Sequence, residues 1–110
     1  MFFKDLYSLT DLEQEIGSNP ASAVYFSAPH CNVCKVLKPK LLSMLEEEYP
    51  EFGVFYVDIE KSPLIAGQMR IFSIPTLLIF FGGKEFYRMS RNISLEELKK
   101  IIERPYGIMF

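Results

Sequence analysis

Two cysteines separated by only two residues, Cys31 and Cys34, stand where a strand-like segment gives way to a helical one. Residues 23–27 form a short, largely apolar run typical of a strand, and a break at Pro29 ends it just before the first cysteine. From Val33 onward, apolar residues recur at helical spacing. Because the two thiols are too close in sequence to join distant parts of a fold, we expect them to carry chemistry at a strand-to-helix junction.

The composition leaves the cysteines free for such a role. With 110 residues, of which 49% are hydrophobic, a single domain over residues 1–110 can bury a core without a disulfide staple. The 12 basic and 14 acidic residues, with a net charge of -2, form no basic surface for nucleic acid or anionic lipid. No signal peptide is visible, and the longest apolar run, residues 77–81, is too short to span a membrane. We therefore expect a cytoplasmic protein, in which a cysteine pair is more often catalytic or metal-binding than structural.

The hydrophobic pattern predicts alternating helices and strands. A capping box headed by Thr10 opens a first helix, and a second helix runs from Val33 to Tyr49 with Pro39 inside it. A capping box at Ser94 opens the last helix, and no structure is assigned to the apolar tail that follows it. The first two strands should pair in parallel, the last two should form an antiparallel hairpin at a Gly-Gly turn, and helices should cover both faces of this α/β sheet. The remaining elements are strands at 23–27, 52–58, 76–81 and 85–89, a short helix at 63–69, and the unassigned tail at 104–110.

The start of the second helix favours a reactive thiol. Cys31 should be exposed at the first turn, where free backbone N–H groups and the positive end of the helix dipole stabilise a thiolate. Cys34, one turn later, should be more buried yet within reach of Cys31. One accessible nucleophile and one protected resolving thiol are what dithiol exchange requires. A zinc or cluster site on the cysteine pair with His30 is the alternative, although a closed zinc site normally takes four ligands.

Two distant motifs together resemble the thioredoxin family. Residues 26–39 combine a strand end, a CxxC pair and a proline-containing helix, and Ile74-Pro75-Thr76 resembles the family's cis-proline loop. With the hairpin and closing helix also at the family's spacing, the resemblance covers nearly the whole chain. It implies a thioredoxin fold, a three-layer α/β/α arrangement with a mixed sheet of four to five strands. It also implies a cis Ile74-Pro75 peptide that faces the cysteines, where the Ile74 backbone would pair with an extended substrate.

Departures from the family pattern identify residues that adjust the site. His30 precedes Cys31 where tryptophan is usual, and Tyr25 stands at the position of a buried aspartate that assists the resolving cysteine in many members. Arg91 stands where a substrate-facing glycine is common. Lys35 and Lys38 are expected to form a solvent-exposed face of the second helix. We assign substrate contact to His30, Ile74, Pro75 and Arg91, and tuning of the thiols to Tyr25, His30 and Lys35.

The sequence and the resemblance thus predict a monomeric thiol-disulfide oxidoreductase that reduces protein disulfides. The cycle needs no bound cofactor or metal, and the resemblance implies an external reductase, a flavoprotein of the thioredoxin-reductase type. Because Asn32 and Val33 supply neither a positive charge nor a rigid proline between the cysteines, we expect a reducing rather than a strongly oxidising potential. The alternative to an enzyme is a binding or redox-sensing module of the same fold with little turnover.

Overall fold

In the computed structural model, which describes residues 3–110, one mixed sheet of five strands forms the centre of the fold. Its strands lie in the order β1-β3-β2-β4-β5. The first three in this order are parallel, β4 is antiparallel to β2, and β5 is antiparallel to β4. Both the predicted parallel pair and the predicted hairpin are confirmed. The strands are β1 (Lys4–Asp5), β2 (Ala21–Ser27), β3 (Gly53–Asp58), β4 (Thr76–Phe81) and β5 (Lys84–Ser90).

Four helices cover the two faces of the sheet, as the alternation of buried side chains along the strands requires. Tyr25 points into the core that contains buried residues of α2 and α4. Its neighbours Val24 and Phe26 point into the opposite core, which contains buried residues of α1 and α3. The predicted three-layer α/β/α arrangement is therefore confirmed. The helices are α1 (Leu9–Ser18), α2 (Asn32–Glu48), α3 (Pro63–Gln68) and α4 (Leu95–Met109).

The capping residues of the first and last helices test the sequence patterns directly. Helix α1 begins after Ser8, whose Oγ accepts a hydrogen bond from the Asp11 N–H at 3.1 Å. The prediction of Thr10 as the cap is wrong, because Thr10 already lies inside the helix while the backbone of Ser8 is extended. At α4 the pattern is confirmed, since Ser94 Oγ accepts from the Glu97 N–H at 3.2 Å.

Two segments have structure that the sequence pattern did not assign. The two-residue strand β1 is too short to show an alternation, and it is held by parallel pairing with β3 and by a hydrogen bond from the Leu6 N–H to the Tyr56 carbonyl at 2.9 Å. Helix α4 continues through most of residues 104–110 and includes Pro105. The Tyr106 ring there packs at 5.0 Å from Tyr49 and 5.6 Å from Phe52 between centroids, so tertiary contacts support the end of this helix.

Candidate active site

The first cysteine lies at the N-cap of helix α2, directly after the loop that leaves strand β2. Cys31 has an extended backbone, and its Sγ accepts a hydrogen bond from the Cys34 N–H at 3.2 Å. The Cys31 N–H in turn donates to the Ala28 carbonyl at 3.1 Å, which holds the loop against the helix. The sulfur therefore occupies the position at which a helix offers unpaired N–H donors and the positive end of its dipole.

A disulfide joins Cys31 and Cys34, whose Cα atoms are 5.3 Å apart. The two residues differ in exposure, since Cys31 is only partly buried whereas Cys34 is 1% exposed. The predicted contrast between an accessible and a protected cysteine is thus present in the structure. Such a pair can pass two electrons by opening and closing one bond, with the partly exposed sulfur available to a second molecule.

Tyr25 lies behind the cysteine pair on strand β2 and is fully buried. Its hydroxyl donates a hydrogen bond to the Cys34 carbonyl at 3.0 Å. Burial, followed by the proximity of Tyr56, raises the pKa of Tyr25 to about 12, so the side chain is a neutral donor at physiological pH. Tyr25 accordingly holds the backbone of Cys34 but provides no negative charge beside it.

A lysine and a second tyrosine join this buried region, and sequence analysis missed both. Lys38 Nζ lies 3.7 Å from the centroid of the Tyr56 ring, while the Tyr56 hydroxyl is 2.6 Å from Ser27 Oγ. The expectation of a solvated Lys38 is wrong, because this half-buried side chain bends over aromatic rings, whereas Lys35 is exposed as expected. The available signal was the spacing of Lys38, four residues after Cys34 and so on the same side of α2.

His30 is exposed and turns towards a carboxylate. Its Nδ1 lies 2.8 Å from Oε1 of Glu60, a residue in the segment that follows strand β3. The contact places a carboxylate beside the residue that directly precedes Cys31 in the chain. The sequence could not indicate this partner, because 30 positions separate the two residues.

The loop before strand β4 carries the expected cis peptide, between Ile74 and Pro75. The Thr76 hydroxyl donates to the Ser73 carbonyl at 2.7 Å, and the Pro75 carbonyl accepts from the Arg91 N–H at 2.8 Å. These bonds join the cis-proline loop to the segment that connects β5 with α4. The Arg91 backbone is therefore bonded to the cis-proline loop, in which Ile74 is partly exposed and Pro75 is buried.

A groove of about 600 Å³ lies between helix α2 and the segment that follows β5, next to the CxxC motif, although neither cysteine and neither Ile74 nor Pro75 lines it. The two residues between the cysteines, Asn32 and Val33, line one side, and residues 91–94 line the other. Lys40 also borders the groove, and sequence analysis did not select it. An extended segment lying here would contact both the CxxC motif and the Arg91 loop.

The fold of this chain recurs in known proteins. The Thioredoxin family model matches residues 6–104 of the chain. The chain belongs to the thioredoxin family. The thioredoxin-like protein YdfQ of Bacillus subtilis is 32% identical over 103 residues, which cover 94% of this chain and 91% of that protein. With a disulfide-bonded CxxC pair in place, this chain is a thiol-disulfide oxidoreductase of that family.

Two further matches extend the comparison. Mitochondrial thioredoxin 3 of Saccharomyces cerevisiae, in its oxidised form, has the same fold with a TM-score of 0.83 and 24% identity, covering 92% of this chain and 94% of that one. A bifunctional thioredoxin reductase/thioredoxin of Mycobacterium leprae is 31% identical over 74 residues, which are 67% of this chain and 16% of that protein. Members of the family act on protein disulfides and are reduced by thioredoxin reductase.

The described residues can also be searched for a metal-binding cluster and for a membrane-spanning helix. Between residues 3 and 110, no three side chains among His, Cys, Asp and Glu cluster closely enough to hold a metal ion. A zinc or cluster site on Cys31 and Cys34 would therefore need ligands from outside this part of the chain. No helix in the same range combines the length and apolar character needed to cross a membrane.

Proposed function

We propose that this oxidoreductase works as a protein-disulfide reductase, with Cys31 as nucleophile and Cys34 as resolving thiol. The observation that carries the proposal is the unequal exposure of the two sulfur-bearing residues at the start of α2. The Cys31 thiolate attacks one sulfur of a substrate disulfide, a Cys31–substrate disulfide forms, and the other substrate sulfur leaves as a thiolate. The Cys34 thiolate then attacks Cys31 Sγ, which releases the second substrate thiolate and leaves the Cys31–Cys34 disulfide oxidised.

The remaining site residues act around this exchange. We assign contact with an extended substrate to His30, Ile74, Pro75 and Arg91. The position of Arg91 in the groove lining and its backbone hydrogen bond to the Pro75 carbonyl support this assignment for the Arg91 segment. Tuning of the thiols is assigned to Tyr25, His30 and Lys35. The hydrogen bond from Tyr25 to the Cys34 carbonyl supports its part in this assignment.

The two electrons must come from another protein in each cycle. A thioredoxin-reductase-type flavoprotein is the proposed donor, and the Mycobacterium leprae relative, which joins a thioredoxin reductase to a thioredoxin in one chain, supports it. The proposed working unit is a monomer with a single domain over residues 1–110. Its proposed location is the cytoplasm, where a reducing environment would keep the pair available for reduction of other proteins.

Two cysteine variants test the mechanism in an assay of insulin reduction with NADPH and a thioredoxin reductase. Cys31→Ser should abolish turnover, because no sulfur remains at the N-cap to attack the substrate. Cys34→Ser should lose turnover but accumulate mixed disulfides, visible as an added mass that a reductant removes. Turnover by Cys31→Ser would contradict the nucleophile assignment. Negligible turnover by the unaltered protein would favour the binding or sensing alternative.

The proposed reducing potential has its own measurement. Equilibration of the Cys31–Cys34 pair with glutathione buffers gives its potential directly. We expect a value nearer to that of thioredoxin, about -270 mV, than to that of a strong oxidant, about -120 mV. A value at the oxidising end would contradict the proposed direction of electron flow.

A further inference from the structure

The groove beside the disulfide has an apolar side and a positively charged edge. Val33 and Val36 on helix α2 are 62% and 59% exposed, and both line the groove. Ile93 faces it from the loop before α4. Side chains this apolar and this exposed, next to a reactive disulfide, offer contact area to a partner segment.

Arg91 is held at the edge of this groove in an unfavourable backbone conformation. Its φ of 64° lies in the left-handed region, which a residue with a Cβ atom adopts rarely. The hydrogen bond from its N–H to the Pro75 carbonyl at 2.8 Å fixes the residue next to the cis peptide. Backbone strain that persists beside a reactive site points to a function for the side chain held there.

The lining of the groove contains positively charged side chains and no carboxylate. Lys40 and Arg91 both line it, and no Asp or Glu does. Throughout residues 3–110, neither cation forms an ion pair with a carboxylate. Lys40 also lines a second depression, together with Glu47, Glu48 and Glu96, and there Lys99 pairs with Glu48 at 2.9 Å and with Glu96 at 3.7 Å. A chain with a net charge of -2 therefore presents positive charge at the groove.

We propose that Arg91 and Lys40 make this groove selective for substrate segments that carry Asp or Glu close to the disulfide-bonded cysteine. This inference rests on the disulfide exchange proposed above and names the substrate class that it prefers. An extended segment with an apolar residue against Val33 and Val36 brings its acidic neighbours to the two cations. Since each partly exposed ion pair contributes modestly, we expect an acidic segment to react roughly three to ten times faster than a basic one.

The test uses the protein with NADPH and a thioredoxin reductase, as in the insulin assay, and peptide dimers that differ only around one cystine. Two residues on each side of the half-cystine are Glu, Gln or Lys, and kcat/KM is measured for each dimer at low salt. We expect the order Glu, Gln, Lys, with the difference in KM. The preference should shrink in about 0.5 M salt, where charges are screened over a few ångströms.

Variants distinguish the effect of the charges in the groove on the peptide preference from the effect of the net charge of the protein. Arg91→Gly suits the left-handed backbone, and Lys40→Gln keeps a side chain of similar length; each should reduce the preference by about two- to threefold. Lys84→Glu is the control, because Lys84 is exposed at the start of β5, opposite the end that leads to Arg91. Equal rates for the three peptides, or a preference that survives in Arg91→Gly with Lys40→Gln, would overturn the inference. An equal loss in Lys84→Glu would also overturn it.

A trapping experiment distinguishes failure of this inference from failure of the proposed function. If the protein reduces none of the peptides, the proposed function is wrong, and Cys34→Ser is then incubated with an equal mixture of the three. Mixed disulfides enriched in the Glu peptide, as measured by mass spectrometry, would support a selective groove. Equal trapping of the three peptides would overturn it.

Discussion

Replacement of Tyr25 by phenylalanine removes one buried oxygen and leaves the contacts of the ring in place. The ring lies 5.9 Å from that of Phe3 and 6.3 Å from that of Tyr56, whereas the hydroxyl makes a single hydrogen bond, to the Cys34 carbonyl. Tyr25→Phe therefore isolates the contribution of that bond. Loss of one buried hydrogen bond predicts a decrease of about 1 kcal/mol in the free energy of unfolding at neutral pH.

The difference in the free energy of unfolding between the wild type and Tyr25→Phe should depend on pH. Burial raises the pKa of Tyr25 from 10.0 to about 12 in the folded protein, so folding favours the protonated phenol. This contribution is complete below pH 10 and is lost as pH rises from 10 to 12. At about pH 11 the unfolded chain gains about 1 kcal/mol from ionisation of Tyr25, which the phenylalanine variant cannot gain. The stabilities of wild type and variant should therefore converge near that pH.

Urea unfolding of the oxidised proteins, followed by far-UV circular dichroism at about pH 7 and about pH 11, measures both effects. The oxidised form is used because disulfide-bonded cysteines do not titrate. Tyr25→Ala provides the comparison, with an expected loss of about 3–5 kcal/mol because the ring contacts disappear as well. A constant difference across this range would refute the reasoning that Tyr25 is a buried neutral phenol. Equal stability at neutral pH would refute the value assigned to its hydrogen bond.

Two further predictions concern interactions near the surface. Lys38→Met should lower the free energy of unfolding by about 0.5–1 kcal/mol, because the cation over the Tyr56 ring is lost. Lys35→Met is the control and should change the free energy of unfolding by less than about 0.5 kcal/mol. Similar urea midpoints for both variants would contradict this prediction. The hydrogen bond from Arg88 lowers the pKa of Glu85, so its contribution is present above pH 4.5 and is lost as pH falls through the lowered pKa. Because the pair is half-exposed, Glu85→Gln should reduce stability by less than about 1 kcal/mol at neutral pH and leave it unchanged at about pH 2, as unfolding at both pH values would measure.

Local signals in the sequence were sufficient for most of the fold. Strand β4 was predicted to the residue, because a threonine and five apolar residues between Pro75 and a Gly-Gly pair leave few other structures for that segment. The cap at Ser94 was equally clear, whereas Ser8 and Thr10 both carry a hydroxyl and only the packed position of α1 decides between them. Strand β1 has two residues and no pattern of its own, so its existence depends on the edge of β3.

Some features of the candidate site follow from the local sequence, and others require the tertiary structure. The sequence by itself determined the CxxC pair, its place between a strand and a helix, and a hairpin turn at Gly82 and Gly83, because these depend on residues close together in the chain. Tertiary structure alone brings the Tyr25 hydroxyl to the Cys34 carbonyl and Arg91 to the cis-proline loop. Those contacts arise when separate elements pack against one sheet, and their distances depend on the register and packing of the whole core rather than on the spacing of any one segment.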